Sequence, residues 1–128
     1  MKQYDAIFNR AERLLGAEFM QKAARCRVIV FGVGGVGSWC AEGLVRSGIG
    51  HLTLVDSDCV SVTNINRQRM ATVHTVGRPK VEALREQLLD INPEADIAIV
   101  QQFYSEENAS QFGLEQYDYV IDAIDSLA

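Results

Sequence analysis

Four glycines, Gly32, Gly34, Gly35 and Gly37, follow directly on the apolar run Val28-Ile-Val-Phe31, and a helical pattern begins straight after them. A strand-to-helix turn is the context in which G-x-G-x-x-G reads as a nucleotide site rather than a flexible loop. Without side chains the backbone lets a phosphate come close, and the free N–H groups of the helix N-terminus point at it. Roughly 20 residues further on, at the tip of a second apolar run, Asp56 stands where such folds place a ribose-binding acid. An aspartate there can also cap a turn; the spacing favours the ribose. Next come Asp58, the polar cluster Thr63-Asn-Ile-Asn-Arg-Gln68, then Lys80, and finally Asp122-Ala-Ile-Asp125. Lys80 opens a helix, where the macrodipole disfavours a cation, and a bound anion would relieve that conflict.

An α/β frame is needed to gather these side chains. Residues 5–24 read as helical, with Ile7, Ala11, Leu14 and Leu15 on one face, a break at Gly16, and Phe19, Met20 and Ala23 beyond it. Val28–Phe31 predicts a buried strand. Val36–Arg46 predicts a helix with Val36, Cys40, Gly43 and Leu44 along one stripe, Gly43 allowing close packing on the sheet, and Gly48 closing it. Leu52–Val55 is a second strand ending at Asp56. Gly77-Arg-Pro-Lys80 introduces a helix with Pro79 suited to its first turn and Val81, Leu84, Leu88 and Ile91 inward. Asn92-Pro93 ends it, Ile97–Val100 is a third strand, Ser105 is expected to cap a short helix through Phe112, and Tyr119–Asp122 is a fourth strand. The expected fold is a Rossmann-like, doubly wound, mainly parallel sheet with helices on both faces, residues 1–26 forming a helical segment before the nucleotide-binding residues 27–128. The pattern stops as another crossover would begin, so a longer parent chain is expected.

Size and composition fit one ordinary soluble domain: 128 residues, 48% hydrophobic and 23% charged. No apolar run approaches membrane-spanning length, and the charged opening argues against a secretory signal. Cys26, Cys40 and Cys59 form no C-x-x-C pair, so a disulfide framework or zinc knuckle is not indicated and a reducing cytoplasm fits. His51 and His74 read as surface residues. A net charge of −5 disfavours broad nucleic-acid binding by these residues alone, and means that a polyanionic ligand needs local cations or a metal.

Two nucleotide readings compete. A nicotinamide-dependent oxidoreductase would use the same glycines and Asp56, but the turn alone suffices to hold its pyrophosphate. Arg67, Lys80, Asn64 and Asp125 then have no reason to gather at one crevice. An ATP-using enzyme supplies one, because β- and γ-phosphates need cations and Mg²⁺ needs a hard carboxylate such as Asp125. ATP is favoured; a non-catalytic interaction module with a vestigial site is the third possibility.

In order and spacing, Gly32–Gly37, Asp56-Ser-Asp58, Asn64–Gln68, Val76–Lys80 and Asp122–Asp125 resemble the adenylation domain of the ThiF/MoeB/HesA family, bacterial relatives of the ubiquitin-activating enzymes. Gly37-Ser-Trp39, Thr63–Gln68 and Val120–Ser126 look most like the branch that dehydrates threonylcarbamoyladenosine in tRNA. The resemblance implies ATP and Mg²⁺ as ligands. The glycines, Asp56, Asp58, Asn64, Asn66, Arg67, Gln68, Lys80, Asp125 and Ser126 would form the nucleotide site. Within it Gly35 and its neighbours would touch ATP, Asp56 would hold the ribose, and Asn64 and Arg67 the phosphates. Lys80 would stabilise the departing pyrophosphate, and Asp125 would hold the metal. The resemblance also implies a homodimer, in which an arginine of the partner's N-terminal helix reaches the γ-phosphate; Arg13 is the first candidate and Arg10 the second. The activated carboxylate would be on tRNA or, in other branches, at the C-terminal Gly-Gly of a ubiquitin-like sulfur-carrier protein. Members of the family extend well past the metal-binding aspartate.

Overall fold

The computed structural model describes residues 5–125. Ser126, one of the expected nucleotide ligands, lies outside the described residues. Among the described residues the strands β1 (Arg27–Phe31), β2 (His51–Val55), β3 (Asp96–Val100) and β4 (Tyr119–Asp122) form a fully parallel sheet in the order β3-β2-β1-β4. These are the first four positions of the doubly wound dinucleotide-fold order, and the direction of winding reverses between β1 and β4. A crevice must open there, at the carboxyl ends of the strands.

The central strands are apolar without alternation because both faces are covered. Val28 and Val30 of β1, with Leu52 and Leu54 of β2 and Ile97 of β3, point to the face occupied by helices α3 (Gly37–Arg46) and α4 (Lys80–Ile91). Ile29, Phe31 and Val55 point to the other face, where Val100, Tyr104, Phe112, Leu114 and Tyr117 meet them. Phe31, Tyr104 and Phe112 form an aromatic cluster with ring centroids 4.3 to 5.5 Å apart. The N-terminal segment carries a 3-10 turn at Asp5–Phe8 and two short helices, α1 (Asn9–Leu15) and α2 (Ala17–Arg25), broken at Gly16 as its sequence implies. Of their apolar residues Met20 and Ala23 are buried, whereas Ile7, Leu14, Leu15 and Phe19 stay exposed.

Three local expectations need correction. The inward stripe of α3 is Ser38, Ala41 and Val45; Val36 is exposed and Gly43 faces open space, so Gly43 is not a packing glycine. The close contact belongs to Gly37, where a Cβ would lie 1.7 Å from the Gly32 carbonyl oxygen. Pro79 sits at the N-cap of α4 rather than within its first turn. Finally, Ser105 caps no helix. Its N–H donates to Asn108 Oδ1, the Asn108 amide donates to the Phe103 carbonyl, and only a 3-10 turn follows at Ala109–Phe112. The second sheet face is therefore covered by 3-10 turns and aromatic side chains instead of an α-helix.

The two glycines of α3 should respond oppositely to alanine. Gly43→Ala adds a helix-favouring side chain in open space and is expected to stabilise the fold by about 0.5–1 kcal/mol. Gly37→Ala forces the turn apart and should remove at least about 3 kcal/mol or prevent folding. Urea denaturation of the two variants measures both.

Candidate functional site

The crevice at the strand ends is a cleft of about 330 Å³. Gly32 and Gly34 form its floor, Asp56 and Asp58 one wall, Asn64, Arg67, Gln68 and Lys80 another, and Asp125 closes it beyond β4. The turn itself needs glycine at Gly32, which takes φ +88 and has the Ala123 carbonyl 2.7 Å from where a Cβ would stand. Gly35 presents open backbone beneath the Arg67 side chain, whose carbons lie 3.5 Å from the position of a Cβ.

Asp56 is held by the turns that it joins. One carboxylate oxygen accepts from the Val33 N–H at 3.0 Å, the other from the Asp58 N–H at 2.8 Å. Each oxygen keeps a lone pair for a ligand hydroxyl. Asp56 thus braces the glycine turn and still faces the cleft.

The 61–69 segment follows as a set of interlocked turns. Ser61 and Asn64 form a capping box, with Asn64 Oδ1 accepting from the Ser61 N–H at 2.8 Å, so Asn64 is buried and structural as well as cleft-lining. The Arg67 guanidinium donates to the Thr63 carbonyl at 3.1 Å and to Asn66 Oδ1 at 3.0 Å. Asn66 does not line the cleft; its side chain orients Arg67. Gln68 is buried, and its Oε1 is the buried side-chain atom without a hydrogen-bond partner among the described residues. A buried unsatisfied acceptor costs roughly 1–3 kcal/mol, and a ligand bearing donors would relieve it.

Lys80, first residue of α4, is driven inward: its side chain is 8% exposed, and Nζ lies 3.7 Å from Asp58 Oδ2. Backbone pairing sets the position, since the Lys80 N–H donates to the Asp58 carbonyl at 3.0 Å and Cys59 bridges Pro79. The buried ammonium and the exposed guanidinium of Arg67 thus stand on the same side of the sheet as the glycine turn, facing one cleft. No cluster of three or more His, Cys, Asp or Glu suited to a metal occurs among the described residues. Arg13 and Arg10 are exposed on α1 and do not line the cleft.

Sequence reasoning missed the wall made by Gln102, Phe103 and Tyr104 after β3. The signal was available: residues that follow a parallel strand emerge at the same rim as the glycine turn. It also gave Trp39 no role beyond the resemblance at Gly37-Ser-Trp39. Trp39 is 51% exposed, and its indole Nε1 donates to the Arg67 carbonyl at 2.8 Å. His51 has a partner, Asp96, at 3.0 Å on the exposed opposite end of the sheet. Cys26, Cys40 and Cys59 are free, as expected, and burial together with the Asp118 carboxylate pushes the Cys26 thiol pKa up.

Because Asp56 braces the fold before any ligand arrives, Asp56→Ala should lower stability by about 1–3 kcal/mol in nucleotide-free solution, leaving the Val33 N–H unpaired. Chemical denaturation without ligand measures this loss apart from any effect on binding.

Residues 8–128 match the model of the ThiF family. The tRNA threonylcarbamoyladenosine dehydratase of Bacillus subtilis is 47% identical over 120 residues, covering 94% of this chain and 47% of that protein. The crystal structure of the Escherichia coli tRNA N6-threonylcarbamoyladenosine dehydratase in complex with ATP superposes with a TM-score of 0.94 at 44% identity, covering 98% of this chain and 52% of that one. The molybdopterin-synthase adenylyltransferase of Escherichia coli is 37% identical over 123 residues, covering 94% of this chain and 49% of the relative. The chain spans about half the length of the curated relatives it matches. With the Rossmann-like sheet, the glycine turn and the family match in agreement, this chain belongs to the ThiF family.

Proposed function

We propose that these residues form the nucleotide-binding part of an ATP-dependent enzyme that activates a substrate carboxylate by adenylation, and that the substrate is threonylcarbamoyladenosine in tRNA. The observation that carries this reading is the pair of cations, buried Lys80 and exposed Arg67, sharing one cleft with the glycine turn. A nicotinamide dinucleotide gives them no task; a triphosphate does. Similarity to a dehydratase crystallised with ATP supports the same nucleotide, and the higher identity to dehydratases than to the molybdopterin-synthase adenylyltransferase supports the substrate.

The chemistry uses each group. A carboxylate is a poor electrophile, being anionic and without a good leaving group. Attack of its oxygen on the α-phosphorus breaks the bond to pyrophosphate and leaves an acyl-adenylate. Attack within the threonylcarbamoyl group on the activated carbonyl then closes a ring, expels AMP and releases the attacking group's proton, with net loss of water from the substrate. No general base is needed in the first step, since the nucleophile is already ionised. The protein orients two anions and neutralises the leaving group. The glycine turn would carry the phosphates, Asp56 the ribose, Asn64 and Arg67 the phosphate side, and Lys80 the charge that builds on pyrophosphate, with Gln68 elsewhere in the nucleotide site. Phe103 and Tyr104 offer an aromatic wall for a base. Asp125 would hold Mg²⁺ through a single carboxylate, which fits an ion that takes its other oxygens from phosphate and water. The metal would add charge neutralisation there.

Arg13, with Arg10 as second candidate, would act on the γ-phosphate of a second copy in a homodimer; both lie outside their own subunit's cleft. The modified tRNA also favours a cytoplasmic setting. The second reading, adenylation of the C-terminal Gly-Gly of a ubiquitin-like sulfur-carrier protein, rests on the likeness to the molybdopterin-synthase adenylyltransferase.

The deciding experiment measures pyrophosphate release from ATP by the full chain. Release is expected with threonylcarbamoyl-modified tRNA and not with a sulfur-carrier protein; the opposite pattern would replace the leading reading by the second. Lys80→Ala should lower the rate about 100- to 1,000-fold. Separately, mixing Arg13→Ala and Lys80→Ala proteins should restore activity that neither shows alone, because mixed dimers hold one intact site. Absence of complementation under subunit exchange would place Arg13 outside the reaction.

A further inference from the structure

We propose that Trp39 and Ser38 are positioning residues, which set Arg67 and Gln68 against the glycine turn without touching the nucleotide; this rests on the ATP reading above. The backbone of residues 67–69 is fastened to the first turns of α3 at successive points. Trp39 Nε1 donates to the Arg67 carbonyl at 2.8 Å. Ser38 Oγ accepts from the Arg69 N–H at 3.1 Å and donates to the Gly34 carbonyl, so one hydroxyl bridges the glycine turn and the loop. The Arg69 side chain pairs with Glu42 of α3 and, through Nη1, with Gln87 of α4 at 2.8 Å. Both the carbonyl before Gln68 and the amide after it are thus tied to α3.

What the ties leave free is informative. The side chains of Arg67 and Gln68 face the cleft, while their backbone is held from behind. Ser38 is fully buried, so its two hydrogen bonds cannot be traded for water. Trp39 is half exposed and is not one of the buried core residues. Its N–H is the part with a specific partner. A glycine turn can bend and a polar loop can drift; fastening both to the end of one helix makes the distance from phosphate floor to guanidinium a fixed quantity. Geometry of that kind acts on the transition state, where small displacements reduce rate steeply.

The test follows pyrophosphate release from ATP with threonylcarbamoyl-modified tRNA by the full chain in Trp39→Phe, Arg67→Ala and the double variant. Trp39→Phe keeps the ring and removes the N–H, and its melting temperature should stay within about 2 °C of the parent. Its kcat is expected to fall about 10- to 100-fold, with KM for ATP changed less than about threefold. In the Arg67→Ala background the same replacement should lose less than about twofold more, since the group it positions is gone. Ser38→Ala, which opens the other tie, should lower kcat in the same sense. A Trp39→Phe kcat within twofold of the parent, or a loss that multiplies in full with that of Arg67→Ala, overturns the proposal. If Arg67→Ala itself leaves release unchanged, the phosphate role of Arg67 fails and the positioning claim with it. A damaging Arg67→Ala beside a silent Trp39→Phe removes the positioning claim alone.

Discussion

The approach of Gly37 to the carbonyl of Gly32 governs the site. The chain leaves β1, turns back on itself within six residues and starts a helix so close to the strand end that no side chain could stand at Gly37. That contact fixes where α3 begins and which way it points. Ser38 and Trp39, the next two residues, inherit the placement, and through their hydrogen bonds so does a loop some 30 positions downstream. A backbone contact between two glycines thereby decides where a guanidinium and a buried amide come to rest.

Electrostatic organisation is equally local. The chain as a whole is acidic and the cleft lining includes Asp56, Asp58 and Asp125, yet backbone geometry rather than net field brings the cations Arg67 and Lys80 in beside them. Lys80 sits at the start of α4 by virtue of strand-like pairing between Asp58–Cys59 and Pro79–Lys80, against the preference of the helix dipole. Arg67 is steadied by a carbonyl and by Asn66. Asp56 has backbone partners on both oxygens and so keeps a defined orientation. Arg67 and Asp56 are held by neutral partners, an arrangement that leaves their charges available.

Much of this was legible in the sequence for definite reasons. Strands buried on both faces are uninterrupted apolar runs, so β1 and β2 could be read within a residue of their ends. The glycine turn announces itself because side chains are excluded there, and topology alone carries Arg67 and Lys80 to its rim. The misreading of α3 has a plain cause: periodicity tells that a helix has an inner face but not its rotation. Val36, Cys40 and Leu44 make as good a stripe on paper as Ser38, Ala41 and Val45, and the serine is tolerated in the core because its hydroxyl is doubly hydrogen-bonded. Ser105 resembled a helix cap, but Asn108 took its N–H and tightened the segment into a turn. The contact between Trp39 and Arg67 joins residues 28 apart and has no one-dimensional signature.

The ion pair between Lys80 and Asp58 is lopsided. The ammonium is enclosed, while the carboxylate is 70% exposed and can swing into solvent. Rotation of this one surface side chain would uncover the enclosed ammonium toward the cleft and leave the hydrophobic interior undisturbed.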